Sequence, residues 1–64
     1  MPIIRVEMFA GRSREQKQQL VRELTDAVAR TCTVNPDVID GVISVVDRDN
    51  RAFGGELCSE RFPD

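Results

Sequence analysis

The sequence contains no histidine, no tryptophan and no tyrosine. Without histidine, the side chain that most often acts as a base and a metal ligand near neutral pH is missing. No apolar run approaches the roughly 20 residues that a membrane-spanning helix needs, and no stretch resembles a secretory signal. These absences predict a protein without a metal site and without a membrane segment.

Cysteine is scarce, with only Cys32 and Cys58 present. One bridge between them is conceivable, but a reduced protein of the cytoplasm is the simpler interpretation. A cysteine nucleophile needs a basic partner such as histidine, which the chain lacks. We therefore expect both thiols to be small buried or contact residues.

Positive charge is also limited: the net charge is -2 and the isoelectric point is about 5.0. Nucleic-acid binding needs a clustered basic surface, so this charge argues against it. The 64 residues allow a single domain, residues 1–64, and a chain of that size buries only about 60% of its unfolded surface. Self-association is the expected source of additional stability.

The pattern of apolar residues predicts a strand, a long helix and a second strand. In the first strand, Ile3 to Phe9, apolar side chains occur on both faces. Ser13 and Gln16 form a capping box that starts the helix. The apolar stripe of that helix consists of Leu20, Val21, Leu24, Ala27, Val28, Thr31 and Cys32. The face predicted to be solvated carries Lys17, Gln18, Arg22, Glu23, Asp26 and Arg30.

After the helix, the segment Thr33–Asp37 predicts a break, with Asn35 capping a brief turn. The β-branched segment from Gly41 to Val46 predicts a strand buried on both faces and parallel to the first. Gly54 to Leu57 is typical of a tight turn or short hairpin, and Cys58 to Asp64 shows no periodicity and is expected to be partly disordered. Two strands under one helix are too few to stand alone, so the sheet should continue into another subunit.

Pro2 is the candidate base. Removal of Met1 would convert its nitrogen into a free secondary amine. An α-amino group titrates at about 7.7 to 8.0, and burial or a nearby cation favours its neutral form. A neutral amine can act as a general base. The alternative is a proline that merely begins an edge strand.

Three segments carry a resemblance to a known family: Pro2, the run Gly11-Arg12-Ser13-x-Glu15-Gln16-Lys17, and Gly54-Gly55-Glu56-Leu57. In this order and at this spacing they resemble the 4-oxalocrotonate tautomerase family. The resemblance implies an α/β fold: a β-α-β protomer with parallel strands and a short C-terminal hairpin. It also implies a sheet extended across subunits in a dimer, and a hexamer built as a trimer of dimers with active sites at subunit boundaries.

The resemblance further implies a keto-enol tautomerase that acts on a small 2-oxo acid, such as 2-hydroxymuconate in aromatic degradation, without a cofactor. By this resemblance Pro2 is the catalytic base, and Arg12 binds the substrate carboxylate from a neighbouring subunit. A guanidinium can also stabilise the developing enolate charge and keep the proline neutral. The alternative for Arg12 is a solvated arginine near a helix start.

Two positions depart from the family pattern. The family's second arginine, at the start of the second strand, falls among Ile39, Asp40 and Gly41, and no basic residue occurs from 32 to 47. The phenylalanine that the family places before the Gly-Gly segment falls on Arg51, with Phe53 two residues later. Either Phe53 forms that wall after a local shift, or Arg51 supplies the missing cation. A solvated Arg51 and a hydrophobic plug at Phe53 are the alternatives.

Three hypotheses follow. The first is a homo-hexameric tautomerase with altered substrate preference that uses Pro2 and Arg12, with Arg51 and Phe53 in substrate binding. The second is one subunit of a hetero-oligomer whose missing arginine comes from a different chain. The third is a catalytically weak module for binding small acids or for assembly.

Overall fold

The computed structural model describes residues 2–62. Two short 3-10 turns, Pro36–Val38 and Arg48–Asn50, connect its main elements. In chain order these elements are β1 (Ile3–Phe9), α1 (Arg14–Cys32), β2 (Asp40–Val46), β3 (Ala52–Phe53), β4 (Glu56–Leu57) and α2 (Cys58–Arg61).

The sheet that organises the chain consists of β1 and β2, which pair in parallel from Ile3 opposite Asp40 to Phe9 opposite Val46. This arrangement confirms the β-α-β prediction. β2 begins one residue earlier than the sequence pattern predicted. The reason is that the backbone amide of Asp40 donates to the carbonyl oxygen of Pro2 at 3.1 Å, which extends the ladder to the start of β1.

The ends of α1 follow from local chemistry. Ser13 accepts a hydrogen bond from the Gln16 amide at 3.1 Å, and the Gln16 side chain accepts one from the Ser13 amide at 2.9 Å, so the predicted capping box is confirmed. The helix ends where Thr33 takes the left-handed conformation at φ 55°. Asn35 then caps the following turn by accepting from the Asp37 amide, as the sequence indicated.

The predicted hairpin is present as β3 and β4, which pair antiparallel. Its turn needs positive φ angles, 58° at Gly54 and 85° at Gly55, which glycine adopts without a side-chain clash. The expectation of disorder after Leu57 is wrong through Phe62, because a helical turn, α2, follows directly. It is anchored by the Cys58 amide, which donates to the Arg51 carbonyl at 2.7 Å. Pro63 and Asp64 lie outside the described residues.

The helix covers one side of the sheet only partly. Five of the predicted stripe residues are half-buried, Leu20, Val21, Leu24, Ala27 and Val28, whereas Thr31 and Cys32 are exposed. The expectation that β2 is buried on both faces is not met within one chain, since Val45 is 49% exposed. Ile3, at the start of β1, is 59% exposed.

The isolated chain has almost no core of its own. Among residues 2–62 the one fully buried side chain is that of Cys58. The radius of gyration is 15.0 Å, whereas a compact domain of this length has about 11 Å. The protomer therefore leaves its sheet and hairpin largely uncovered. No described helix is both long and apolar enough for a membrane span.

Candidate active site

Pro2 lies immediately before β1 and is half-buried. Its carbonyl oxygen accepts the Asp40 amide, which fixes the proline backbone at the amino-terminal edge of the sheet. Proline has no amide hydrogen to contribute to a ladder, so this position at a strand start is compatible with its chemistry. Met1, whose removal the proline hypothesis requires, lies outside the described residues.

Arg12 lies between β1 and α1, directly before the helix N-cap. Gly11, with φ 123°, redirects the chain there, a conformation that side chains rarely allow. Arg12 borders a cavity of about 290 Å³, which we call the helix cavity. Its lining residues are Met8, Arg12, Gln16, Lys17 and Leu20.

Lys17 is a second cation of the helix cavity that the sequence analysis missed. The pattern placed it on the solvated face, but the residue is half-buried and lines the same cavity as Arg12. Its position three residues before Leu20 is the signal that could have shown this, because residues three apart are neighbours on a helix. The cavity therefore combines two positive charges with an apolar floor.

Arg51 and Phe53 lie together at a second cavity, of about 500 Å³, at the carboxyl-terminal edge of the sheet. We call it the hairpin cavity. It is lined by Glu7, Met8, Phe9, Val46, Arg51 and Phe53. Met8 borders both cavities, so Arg12 and Arg51 lie around the same end of β1.

The structure does not bring Pro2 together with the other candidate residues in one chain. Pro2 precedes β1, and the two cavities lie at the other end of that strand. Seven strand residues span about 23 Å at roughly 3.3 Å per residue. A proton donor or acceptor at Pro2 and a carboxylate bound by Arg12 of the same chain are therefore too far apart for one small substrate.

Asp40 occupies the start of β2, where the family pattern would have a second arginine. Its side chain is exposed, and its residue pairs with Ile3, the neighbour of Pro2. A carboxylate at this place repels an anion instead of attracting it.

Aromatic and charged residues of the C-terminal segment surround Phe53. The rings of Phe53 and Phe62 meet edge to face, with centroids 6.2 Å apart and an interplanar angle of 89°. The guanidinium carbon of Arg61 lies 5.8 Å from the Phe53 centroid and 5.9 Å from that of Phe62. Arg61 also approaches Glu56, at 3.8 Å. The sequence analysis missed Arg61 and Phe62 because it found no periodicity there and expected partial disorder.

The two thiols are free, and their environments differ. Cys58 is buried at the start of α2, as expected for a small apolar side chain, whereas Cys32 is exposed at the end of α1. Within residues 2–62 no group of three or more histidine, cysteine, aspartate or glutamate side chains is close enough to hold a metal ion.

Comparisons with known proteins find relatives along nearly the whole chain. A family model described as "Tautomerase enzyme" matches residues 2–61. A probable tautomerase of Halalkalibacterium halodurans is 39% identical over 61 residues, which cover 95% of this chain and 100% of that protein. A 2-hydroxymuconate tautomerase of Pseudomonas putida is 33% identical, with 94% of this chain and 95% of that protein covered.

A solved structure extends the likeness to the fold. A heterohexameric 4-oxalocrotonate tautomerase from Chloroflexus aurantiacus superimposes with a TM-score of 0.85 at 33% identity, covering 94% of this chain and 97% of that one. The parallel β-α-β unit, the glycine hairpin and the matching family model lead to one conclusion. The chain belongs to the 4-oxalocrotonate tautomerase family of the tautomerase superfamily and is an isomerase with tautomerase function.

Proposed function

We propose that the enzyme interconverts the enol and keto forms of a small 2-oxo acid, with Pro2 as the general base after removal of Met1. The first substrate to consider is 2-hydroxymuconate, an intermediate of aromatic degradation, because a relative that shares 33% of its residues bears that name. The chemistry needs no cofactor, since a base and a cation suffice.

The proposal that the active site lies between two chains rests on one observation. Pro2 and Arg12 lie at opposite ends of β1. A strand of this length separates them by about 23 Å, so Pro2 of one chain must meet Arg12 of another. The exposed Ile3 and Val45 and the small core support such association. We propose a homo-hexamer, a trimer of dimers, in which each sheet continues into a second copy.

The reaction would proceed in two proton transfers. The neutral nitrogen of Pro2 removes the proton from the enol hydroxyl, which leaves a dienolate and a protonated proline. The same nitrogen then returns that proton to a carbon of the dienolate, which gives the 2-oxo acid and restores the neutral base. Proton and charge balance without an outside reagent.

Arg12 is proposed to hold the substrate carboxylate through two parallel hydrogen bonds and to stabilise the dienolate charge. Lys17 lines the same cavity and adds positive charge there. Arg51 and Phe53 are proposed as further binding residues, because both line the hairpin cavity. There Arg51 offers a cation in place of the missing second arginine, and the Phe53 ring offers an apolar wall.

The test follows the ketonisation of 2-hydroxymuconate and phenylenolpyruvate by ultraviolet absorbance, on protein shown by mass to lack Met1. Pro2→Ala removes the secondary amine of the ring, and we expect the rate to fall by about 100-fold or more, as is typical when a general base is lost. Arg22→Gln, on the exposed face of α1, is the matched control and should retain activity. Full activity of Pro2→Ala would contradict the proposal.

A second candidate is a hetero-oligomer in which another chain supplies the missing arginine. Asp40 at the start of β2 favours it, as does the heterohexameric assembly of the Chloroflexus aurantiacus relative. Native mass spectrometry of protein purified from its source separates the two. A single subunit mass supports the homo-hexamer, and two different masses support the hetero-oligomer. A stable assembly that is inert towards both enols and binds small acids would support the third hypothesis, a weakly catalytic module.

We also propose that the enzyme works in the cytoplasm. Cys32 and Cys58 are both free thiols, and thiols persist in that reducing compartment. Fractionation of cells that express the protein tests this location.

A further inference from the structure

Two arginines flank the aromatic wall of the hairpin cavity: Arg48, whose guanidinium carbon lies 5.4 Å from the centroid of the Phe9 ring, and Arg61, which lies beside Phe53. The guanidinium carbon of Arg61 lies 5.8 Å from the centroid of the Phe53 ring, and Phe53 lines that cavity. Two further contacts hold Arg61 in this position. Phe62 packs edge to face on Phe53 and also lies 5.9 Å from Arg61. In addition, α2 is tied to the cavity wall by the hydrogen bond from the Cys58 amide to the Arg51 carbonyl.

The charges of the hairpin cavity show why Arg61 matters. Its lining contains one acid, Glu7, and one base, Arg51, so the lining itself has no net charge. Because Glu7 offsets Arg51, further attraction of an anion comes from the rim. Arg61 adds positive charge there, and its side chain is half exposed and so within reach of a ligand, whereas Arg48 is half-buried.

The partner that Arg61 has within the chain is weak. Its closest contact with Glu56 is 3.8 Å, and both side chains are 50% exposed. Ion pairs of this kind contribute between about 0.2 and 1 kcal/mol, so a ligand carboxylate can replace Glu56. Glu56 lies directly opposite Phe53 in the hairpin, which places the competing acid beside the same ring.

We propose that Arg61 is a specificity-determining residue of this enzyme: it binds an anionic group of the substrate at the rim of the hairpin cavity, in competition with Glu56. The inference rests on the proposed function, in which the substrate is a small carboxylate. It adds to that function a cation that binds a second carboxylate of the substrate, distinct from the carboxylate held by Arg12.

Two substitutions distinguish anion binding from a structural ion pair. Arg61→Gln removes the cation, and Glu56→Gln removes its competitor while keeping the size of the side chain. If Arg61 binds substrate, the KM for 2-hydroxymuconate rises about two- to fivefold in Arg61→Gln and falls in Glu56→Gln, with kcat nearly unchanged. If the pair is only structural, both variants lose the same contact and change in the same direction, which would overturn the inference.

A binding measurement keeps this test independent of turnover. Adipate is a six-carbon dicarboxylate without an enol, and its Kd can be measured by titration of backbone amide signals in NMR spectra. We expect weaker adipate binding in Arg61→Gln, tighter binding in Glu56→Gln and partial recovery in Arg61→Lys. Arg30→Gln, an exposed arginine at the end of α1, is the control for the lost charge.

The two proposals can fail separately. Wild-type protein that is inert towards enols, yet shows opposite changes in adipate affinity, contradicts the tautomerase chemistry and supports the role of Arg61. Active protein whose two variants change together, or whose adipate affinity does not change, overturns only the role of Arg61. Absence of adipate binding to the wild type overturns it as well. In 1 M salt the expected differences should shrink, because the screening length falls to about 3 Å.

Discussion

The backbone amide of Asp40 donates to the carbonyl oxygen of Pro2 at 3.1 Å, so a carboxylate lies at the same sheet edge as the proposed base. Asp40 also pairs with Ile3, the residue next to Pro2. At a separation near one screening length, roughly 8 to 10 Å, an exposed charge still influences its neighbours. We therefore expect Asp40 to disfavour dianionic substrates at a site that contains Pro2.

Replacing Asp40 by asparagine should increase kcat/KM for the dicarboxylate 2-hydroxymuconate by about fivefold, the size of a Coulomb term near 1 kcal/mol. The gain for the monocarboxylate phenylenolpyruvate should be smaller, because it carries less charge to repel. Steady-state kinetics with the two substrates measure both gains.

Asp37→Asn provides the matched control for that prediction. Asp37 is also exposed and lies in the turn before β2, and it loses the same charge. We expect little change in either kinetic parameter there. Equal effects of the two substitutions would show that overall charge is responsible, and not the proximity of Asp40 to Pro2.

Most of the fold could be predicted because its signals are local. The capping box of Ser13 and Gln16, the glycine turn at Gly54 and the alternation of β1 each depend on residues close together in the chain. The position of Pro2 and Arg12 at opposite ends of β1 also follows from the predicted strand. The position of Arg51 could not be predicted in this way, because only the structure shows that the hairpin brings it to the end of β1 where Arg12 lies.

The α2 segment shows the other limit of the sequence signal. Four residues are too short to display a helical period, and their helical turn follows from tertiary contacts of Cys58. Arg61 and Phe62 therefore escaped notice, although both surround Phe53. Lys17 was misplaced for a different reason. At the border of an apolar stripe, a lysine can pack its apolar stem against the stripe while its charged end stays in water.

Replacing the N-cap Ser13 by alanine should lower the free energy of unfolding by about 1 kcal/mol, because the Gln16 amide loses its acceptor. Arg12 precedes this cap, so the KM of the enzyme should rise as the helix start loosens. Urea unfolding at fixed protein concentration measures the stability. Gln18→Ala, on the exposed face of α1, is the control and should change stability by less than about 0.5 kcal/mol.

The two thiols offer a matched pair of serine substitutions. Cys58→Ser places a hydroxyl in the one fully buried position among residues 2–62, which should cost about 1 to 3 kcal/mol if the hydroxyl finds no partner. Cys32→Ser changes an exposed residue and should be nearly neutral. Denaturant unfolding gives both values. Similar losses at the two positions would contradict a stabilising role for the buried Cys58 side chain.

Replacing Val45 by aspartate should break the assembly and, with it, the activity. Val45 is 49% exposed in the single chain, and an apolar side chain that becomes covered on association gains roughly 25 cal/mol for each Å² removed from water. A buried aspartate without a partner reverses that gain. Because the proposed active site combines Pro2 and Arg12 from different chains, particles reduced to single chains should also be inactive. Sedimentation velocity and the enol assay on the same samples test the two effects together.

The control for this prediction adds the same charge elsewhere: Asn50→Asp, at an exposed position of the second 3-10 turn, should leave both particle size and rate unchanged. An active monomer of Val45→Asp would contradict the shared site directly, since one chain would then perform a reaction for which its two ends lie too far apart. A hexamer that persists but has lost activity would point instead to a local effect of Val45 on the nearby Lys17 and Ile43, which line one surface groove with it. The combination of smaller particles and lost turnover is therefore the result that supports a site built between chains.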